Sequence, residues 1–276
     1  MSGTLFVVAT PLGNLGDLSA RASEVLCSVA VVAAEDTRRT RRLLNHLDAS
    51  PRLISLPAFA EVEKAGRILA LLEQGTDVGF VTDAGTPGVS DPGTTLVALA
   101  KERGLTVVPV PGPSAVVAAL SASGLPADRY LFLGFLPRKG TARRKLIQTV
   151  AESPWTVVLY ESPNRLESLL ADLSTALGED RRATVARELT KLHEEIRLGS
   201  LAELLAYYAE SGVKGEVTVV VAGAPQPKAE PDRDEVARVA ADLAAQGLTT
   251  KEIVRQLTES HGISRNEGYR LVTRLS

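Results

Sequence analysis

Short, nearly uninterrupted apolar runs, each stopped by Gly, Pro or a charged residue, recur along this chain. Residues 4–9, 29–34, 77–82 and 105–110 are of this kind, and segments of helical spacing, 61–73 and 94–103, lie between the later runs. A strand that is apolar on both faces must be covered on both faces. The pattern therefore predicts an α/β protein with a largely parallel sheet flanked by helices. Ligands of such sheets collect at the carboxyl ends of the strands, which is where this chain places its Gly, Pro and Asp residues.

A second round follows. Strands are predicted at 130–133, 156–160, 183–187 and 216–222, with helices at 141–152, 164–177 and 201–210. Two α/β domains, 1–118 and 119–225, account for both rounds. The stretch 223–232 carries three prolines and reads as a linker. It opens a helical extension, 226–276, with helices at 233–246 and 250–260. Ser264 then starts a third helix, with Glu267 three residues on as its capping-box partner. Helix, short turn, helix is the outline of a nucleic-acid reader and equally of a small helical cap. Eight basic residues balance eight acidic ones from Lys228 to Ser276, which favours the cap.

At 276 residues, 45% apolar and 23% charged, the chain is long enough for two folded domains and is not a disordered protein. Its net charge of -2 gives no global sign of a nucleic-acid partner, although a local basic face can work inside a neutral total. The lone Cys27, among Val25, Leu26 and Val29, reads as a small buried hydrophobe. Three scattered histidines without a cysteine cluster predict no metal site. Lack of a leader-like start or an 18-residue apolar span predicts a soluble, cytoplasmic protein.

Three strand-end loops carry the chemistry. Thr10–Asp17 holds Gly13 and Gly16 but has neither the three-glycine dinucleotide spacing nor the lysine of a triphosphate loop, so it reads as a ligand loop or an ordinary turn. Thr82–Gly93 packs three glycines, two prolines and two aspartates into twelve residues. A structural turn needs two to five residues, so a loop this long is better explained by a ligand, with Asp83 facing it. In Val110–Ala115, Ser114 is placed to cap the next helix. No Lys or Arg falls in these loops, which predicts a mostly uncharged pocket for a neutral or cationic ligand.

Basic residues gather elsewhere. Arg38, Arg39, Arg41 and Arg42 form one run; Arg138, Lys139, Arg143, Arg144 and Lys145 form another. Each alone reads as a solvated helix face, and together they suit a phosphate backbone. Tyr160–Arg165 and Arg187–Lys191 end strands of the second domain, and Glu161 with Arg165 or Arg187 with Glu188 are functional groups or structural ion pairs.

These motifs resemble a known family. Residues 9–17, 34–38, 83–87, 90–93 and 111–114, then 134–139, 160–163, 187–191 and 214–216, stand in the order found in the ribosomal RNA small subunit methyltransferase I family, of the tetrapyrrole methylase superfamily. The resemblance implies two α/β domains with S-adenosylmethionine in the cleft between them, and a C-terminal helical extension. It also implies a metal-free cytoplasmic homodimer that methylates the ribose 2'-hydroxyl of a cytidine in the decoding region of small-subunit (16S) ribosomal RNA. Carried onto this chain, it makes Pro11, Asp83, Gly85, Thr86, Ser114, Ala115 and Ala222 cofactor-pocket residues. Arg38, Arg138, Lys139, Arg143, Arg144, Lys145 and Arg187 become RNA contacts. Glu161, Glu188 and Lys191 become catalytic candidates, with Asp36 and Asp83 as further proton acceptors. Two positions depart from the family pattern: Asn164 replaces a usual histidine, which removes a base there, and His193 replaces a usual aromatic. A methyltransferase of a small tetrapyrrole-like substrate, or a non-catalytic ribosome-binding protein, is the alternative reading.

Overall fold

The computed structural model describes residues 2–225 and 233–275; the call for a linker at 223–232 falls largely outside them. The chain forms two compact units, Met1–Ala224 and Pro225–Ser276.

In the larger unit the first half runs β1 (Thr4–Val8), α1 (Ala20–Ser28), β2 (Val31–Ala34), α2 (Thr37–His46) and β3 (Arg52–Ser55). It continues through α3 (Glu61–Glu73), β4 (Val78–Val81), α4 (Thr94–Glu102), β5 (Thr106–Val110) and α5 (Ala115–Ala122). The strands form one sheet in the order β3-β2-β4-β1-β5, every pair parallel, as expected. Its apolar strands are covered twice. Leu5, Val31, Val78 and Phe80 pack on α3 and α4 through Ile68, Leu69 and Leu96. Val8, Val32 and Val81 face Leu26 of α1 and Leu44 of α2.

The second half runs β6 (Tyr130–Phe135), α6 (Thr141–Glu152), β7 (Thr156–Glu161), α7 (Leu166–Leu177), β8 (Arg182–Arg187), β9 (Glu195–Ser200), α8 (Leu201–Ser211) and β10 (Val217–Val221). Here the sheet is mixed. The order is β6-β7-β10-β8-β9; β6 and β7 are parallel, but β10 runs antiparallel to both neighbours and β9 antiparallel to β8. The reversal puts the start of β10, not its end, beside the carboxyl ends of β7 and β8: Val217 pairs with Glu161 and with Arg187. Alternate residues of β10 serve two cores. Val217, Val219 and Val221 join Leu159, Leu169 and Leu204, while Val220 meets Val116 and Leu120 of α5.

The smaller unit holds α9 (Arg233–Ala245), α10 (Thr250–His261) and α11 (Arg265–Leu275), packed around Val236, Ala240, Ile253, Leu257 and Val272. Ser264 accepts a hydrogen bond from the Glu267 N–H at 3.2 Å, the cap expected there. Cys27, expected inside, is exposed on α1. Val25, Leu26 and Val29 are buried, and Cys27 falls on the other face of that helix. No helix among the described residues is long and apolar enough to cross a membrane.

Candidate active site

A cavity of about 390 Å³ lies between the carboxyl edge of the first sheet and the facing edge of the second. On the first side stand Leu12 after β1, Glu35 after β2, the Asp83–Thr86 and Val89–Asp91 stretches after β4, and Ser114 and Ala115 after β5. On the second stand Phe135 at the end of β6, Tyr160–Pro163 at the end of β7, and Gly215–Thr218 at the start of β10.

The loops on the first side are tied to one another. The Thr10 N–H donates to the Gly85 carbonyl at 2.9 Å and the Gly85 N–H returns the bond at 3.0 Å. The Thr86 hydroxyl donates to the Pro113 carbonyl at 3.2 Å, and the Gly88 N–H to the Pro92 carbonyl at 3.0 Å. Thus the ordering of the long Thr82–Gly93 loop, ascribed above to a ligand, is met in part by the chain itself. Ser90 holds a left-handed φ of 63° in this loop, a conformation that costs a non-glycine residue about 1 kcal/mol. Strain of that kind gathers at functional loops.

The cavity is not the uncharged pocket expected from the loops. Glu35, Asp83, Asp91, Glu161 and Glu216 line it against one guanidinium, Arg39, which sits 3.4 Å from Asp83. Burial pushes the Asp91 carboxyl up to about 6, and the charges of Glu35, Asp83 and Glu216 add to this against the opposing Thr82 hydroxyl. Burial also raises Glu35, again with Asp83 contributing, although the Asp83 N–H donates to it at 3.3 Å. The Tyr160 phenol rises to about 12, by burial first and then by Asp91. Carboxylates that raise one another mark a place where a positive ligand is welcome. The residues present fit a sulfonium cofactor, with backbone loops on one side and the aromatic pair Tyr160 and Phe135, 5.5 Å apart, on the other.

Asp83, Gly85, Thr86, Ser114 and Ala115 line this cavity. Ser114 stands at the N-cap of α5 without a side-chain capping bond, contrary to expectation. Pro11 lines a smaller, adjoining cavity instead. Ala222 lines neither: it follows the far end of β10 and donates to the Arg182 carbonyl at 2.9 Å.

Glu161 is at the cavity but is fully held. Its side chain has 0% exposure; it accepts from Arg165 at 2.9 Å and from the Ser162 N–H at 2.8 Å, with Arg143 at 4.0 Å. Arg143, expected on the RNA, is therefore buried; it pairs with Asp172 at 2.7 Å and donates to the Pro137 carbonyl. Arg187 likewise turns to Glu195 at 2.7 Å, its register partner on β9, and does not reach the cavity wall. Arg138, Lys139, Arg144 and Lys145 are exposed, as is Arg38, which pairs with Asp36 at 2.7 Å. That bond and the Arg38 N–H hold the Asp36 carboxyl well below its usual range, so Asp36 is a helix cap and a poor proton acceptor.

Beside the rim, the Lys191 ammonium sits 2.8 Å from Glu188 and 3.0 Å from Glu216. Burial works to lower Lys191, but the two hydrogen bonds prevail and raise it, so it stays charged. The Lys191 bond in turn lowers Glu188. The methylenes of Lys191 cover Gly13, where a side chain would collide with them. The Asn14 N–H donates to the Thr190 hydroxyl at 3.2 Å, a second link between this segment and the first loop. Glu35, Arg39, Asp91, Tyr160 and Glu216 were not singled out from sequence as site residues, although all but Arg39 lie in the motifs that carried the resemblance.

Comparison with known proteins agrees with this geometry. Residues 4–205 match the family model described as Tetrapyrrole (Corrin/Porphyrin) Methylases. Cobalt precorrin-4 methyltransferase, a cobalamin biosynthetic enzyme of known structure, is similar with a TM-score of 0.63 at 18% identity, over 79% of this chain and 94% of that one. That likeness speaks for the fold. A protein of Pseudomonas aeruginosa named ribosomal RNA small subunit methyltransferase I is 46% identical over 96% of this chain and 95% of its own length. Its namesake from Synechocystis is 44% identical over 98% and 97%. With relatives this similar over nearly full length, the chain belongs to the ribosomal RNA small subunit methyltransferase I family, within the tetrapyrrole methylases.

Proposed function

We propose that this protein transfers the methyl group of S-adenosylmethionine to the ribose 2'-hydroxyl of a cytidine in the decoding region of small-subunit ribosomal RNA. The observation that carries the reading is the near-full-length similarity to enzymes named for methylating that RNA. The carboxylate-lined cavity supports it from the side of the cofactor. Two α/β domains, 1–118 and 119–225, would flank the cofactor, and the enzyme would act in the cytoplasm as a homodimer. Ile196 and Leu198, exposed on the edge strand β9, offer apolar surface for such a contact.

S-adenosylmethionine supplies an activated methyl group on a positively charged sulfur. The chain's own part is to hold the ribose oxygen in line with that methyl and to keep the donor in the acidic cavity. Asp83, Gly85, Thr86, Ser114 and Ala115 serve the donor. Lys191 is the group for a developing alkoxide, and Glu188 positions it. Glu161, held by two guanidinium groups, positions Arg165 and Arg143 rather than taking a proton. Arg38, Arg138, Lys139, Arg144 and Lys145 are exposed charges for the phosphate backbone.

The test is to offer labelled S-adenosylmethionine and small subunits from cells lacking this enzyme, and to map the labelled nucleotide. Label on the ribose of one decoding-region cytidine is the expected result. No transfer to subunits or naked RNA, with donor binding demonstrated, would move the protein to a small-molecule substrate.

The Asp91 carboxyl makes donor binding pH-dependent. Its value of about 6 in the folded protein lies above the unfolded one, so ionising it costs stability, which is lost as pH rises through 6. A cation reverses the balance by favouring the ionised form. Donor affinity is expected to rise from pH 5 to about 7.5, and Asp91→Asn to flatten the rise. Titration calorimetry across this range decides it, and an unchanged slope in the variant would assign the effect elsewhere.

A further inference from the structure

We propose that the smaller cavity beside the donor site, about 220 Å³ in volume, receives a backbone phosphate of the RNA next to the methylated ribose, with Arg39 and Arg42 as its basic groups. This inference rests on the RNA reading above. The two cavities share Leu12, Arg39 and Asp83, so a group in one lies directly beside a group in the other. Their charges differ in kind. The larger is lined by five carboxylates and one guanidinium; the smaller has two guanidiniums and one carboxylate, Asp83.

The chemistry of the substrate requires such a neighbour. A 2'-hydroxyl is never far from the 3'-phosphate of its own nucleotide, and a wall of carboxylates that draws a cation repels that phosphate. A basic cavity on its border resolves the conflict. Helix α2 supplies one wall of it, opposite the Thr10–Leu15 and Thr82–Asp83 segments. Thr40, Leu43 and Leu44 are buried, and Arg39 and Arg42, three residues apart, line the cavity together. Their neighbour Arg38 is already neutralised by Asp36 at 2.7 Å. Arg39 faces Asp83 at 3.4 Å and its charge also acts on Glu35, while Arg42 makes no ion pair among the described residues. Arg42 therefore brings an ion-pair-free charge to this cavity, whereas Arg41, also exposed, lines neither cavity.

The full chain with Arg42→Glu should show a KM for small subunits raised about tenfold, with kcat within about twofold and donor affinity unchanged. Arg42→Lys should restore most of the loss. Arg42→Ala should lower the slope of log affinity against log salt by about one. Arg67→Glu, the same charge change at an exposed site of α3 that lines neither cavity, should leave KM where it was. Equal KM values for the Arg42→Glu and Arg67→Glu enzymes, with the parent active on subunits, would overturn the phosphate site alone. A parent enzyme that binds the donor but methylates no RNA would overturn the RNA reading and this site with it.

Discussion

Glu161→Ala is expected to unfold at markedly lower denaturant, with a loss of about 3 kcal/mol, before any effect on turnover is considered. Its carboxylate has 0% exposure and faces Arg165 at 2.9 Å and Arg143 at 4.0 Å, the latter side chain only 8% exposed. Among the described residues, removing the anion leaves the nearly buried Arg143 with Asp172 as its one carboxylate and the half-buried Arg165 with the Leu136 carbonyl alone, so both cations lose a charged partner. Glu161→Gln keeps the volume and one acceptor, so it should recover part of the stability but not all. Urea unfolding of both variants, followed beside methyl transfer, separates the roles. If Glu161→Ala kept the parent midpoint while transfer vanished, the residue would be a proton acceptor after all and not a positioning group.

A comparable loss, about 3 kcal/mol or a fall of roughly 10 °C in Tm, is expected for Gly93→Ala at the end of the long loop after β4. Two costs coincide there. The φ of Gly93 is +129°, where a side chain is strained, and a methyl at this point would run into the Phe80 ring. Phe80 is fully buried between α3 and α4, so the ring has nowhere to move. Gly104→Ala separates the two contributions: its φ is +69° but the space around it is open, so backbone strain alone, about 1 kcal/mol, should appear. Equal melting temperatures for the two variants would show that the Phe80 contact is relieved by movement of the loop.

The strongly apolar strands were legible in the sequence because burial on both faces leaves a continuous run. Val78–Val81 and Val217–Val221 are buried at every position. Two of the edge strands, β3 and β9, escape such a reading. In Arg52–Ser55 only Ile54 is buried, and in Glu195–Ser200 only Gly199. Helix α2 was legible only as a solvated face carrying Arg38–Arg42, without its bounds, because TRRTRRLLNH buries just Thr40, Leu43 and Leu44 and its arginines dominate the pattern. Strand direction is a property of the whole sheet and leaves no local mark, so the reversal that brings Glu216 to the cavity could not be read from the sequence. That the Thr82–Gly93 loop, with Asp83, would line a cavity was legible because its length and composition exceed what a turn needs; Gly85 and Thr86 were named by the resemblance. Arg143 was not, since a run of basic residues does not say which member faces inward; that depends on Asp172, 29 residues away.

The position of β10 has a consequence for how the protein is made. It is the last strand of its sheet in sequence, yet it lies in the middle, between β7 and β8. During synthesis β6 with β7, and β8 with β9, can pair as they emerge, but each pair presents an open inner edge until Val217–Val221 leaves the ribosome. Nascent chains halted before Gly215 therefore carry two unpaired strand edges and lack the Gly215–Thr218 wall, so they should be substrates for chaperones and proteases rather than partly active enzymes. Release of a single strand completes the second sheet and the cavity together, long after the first sheet, β1 to β5, has emerged.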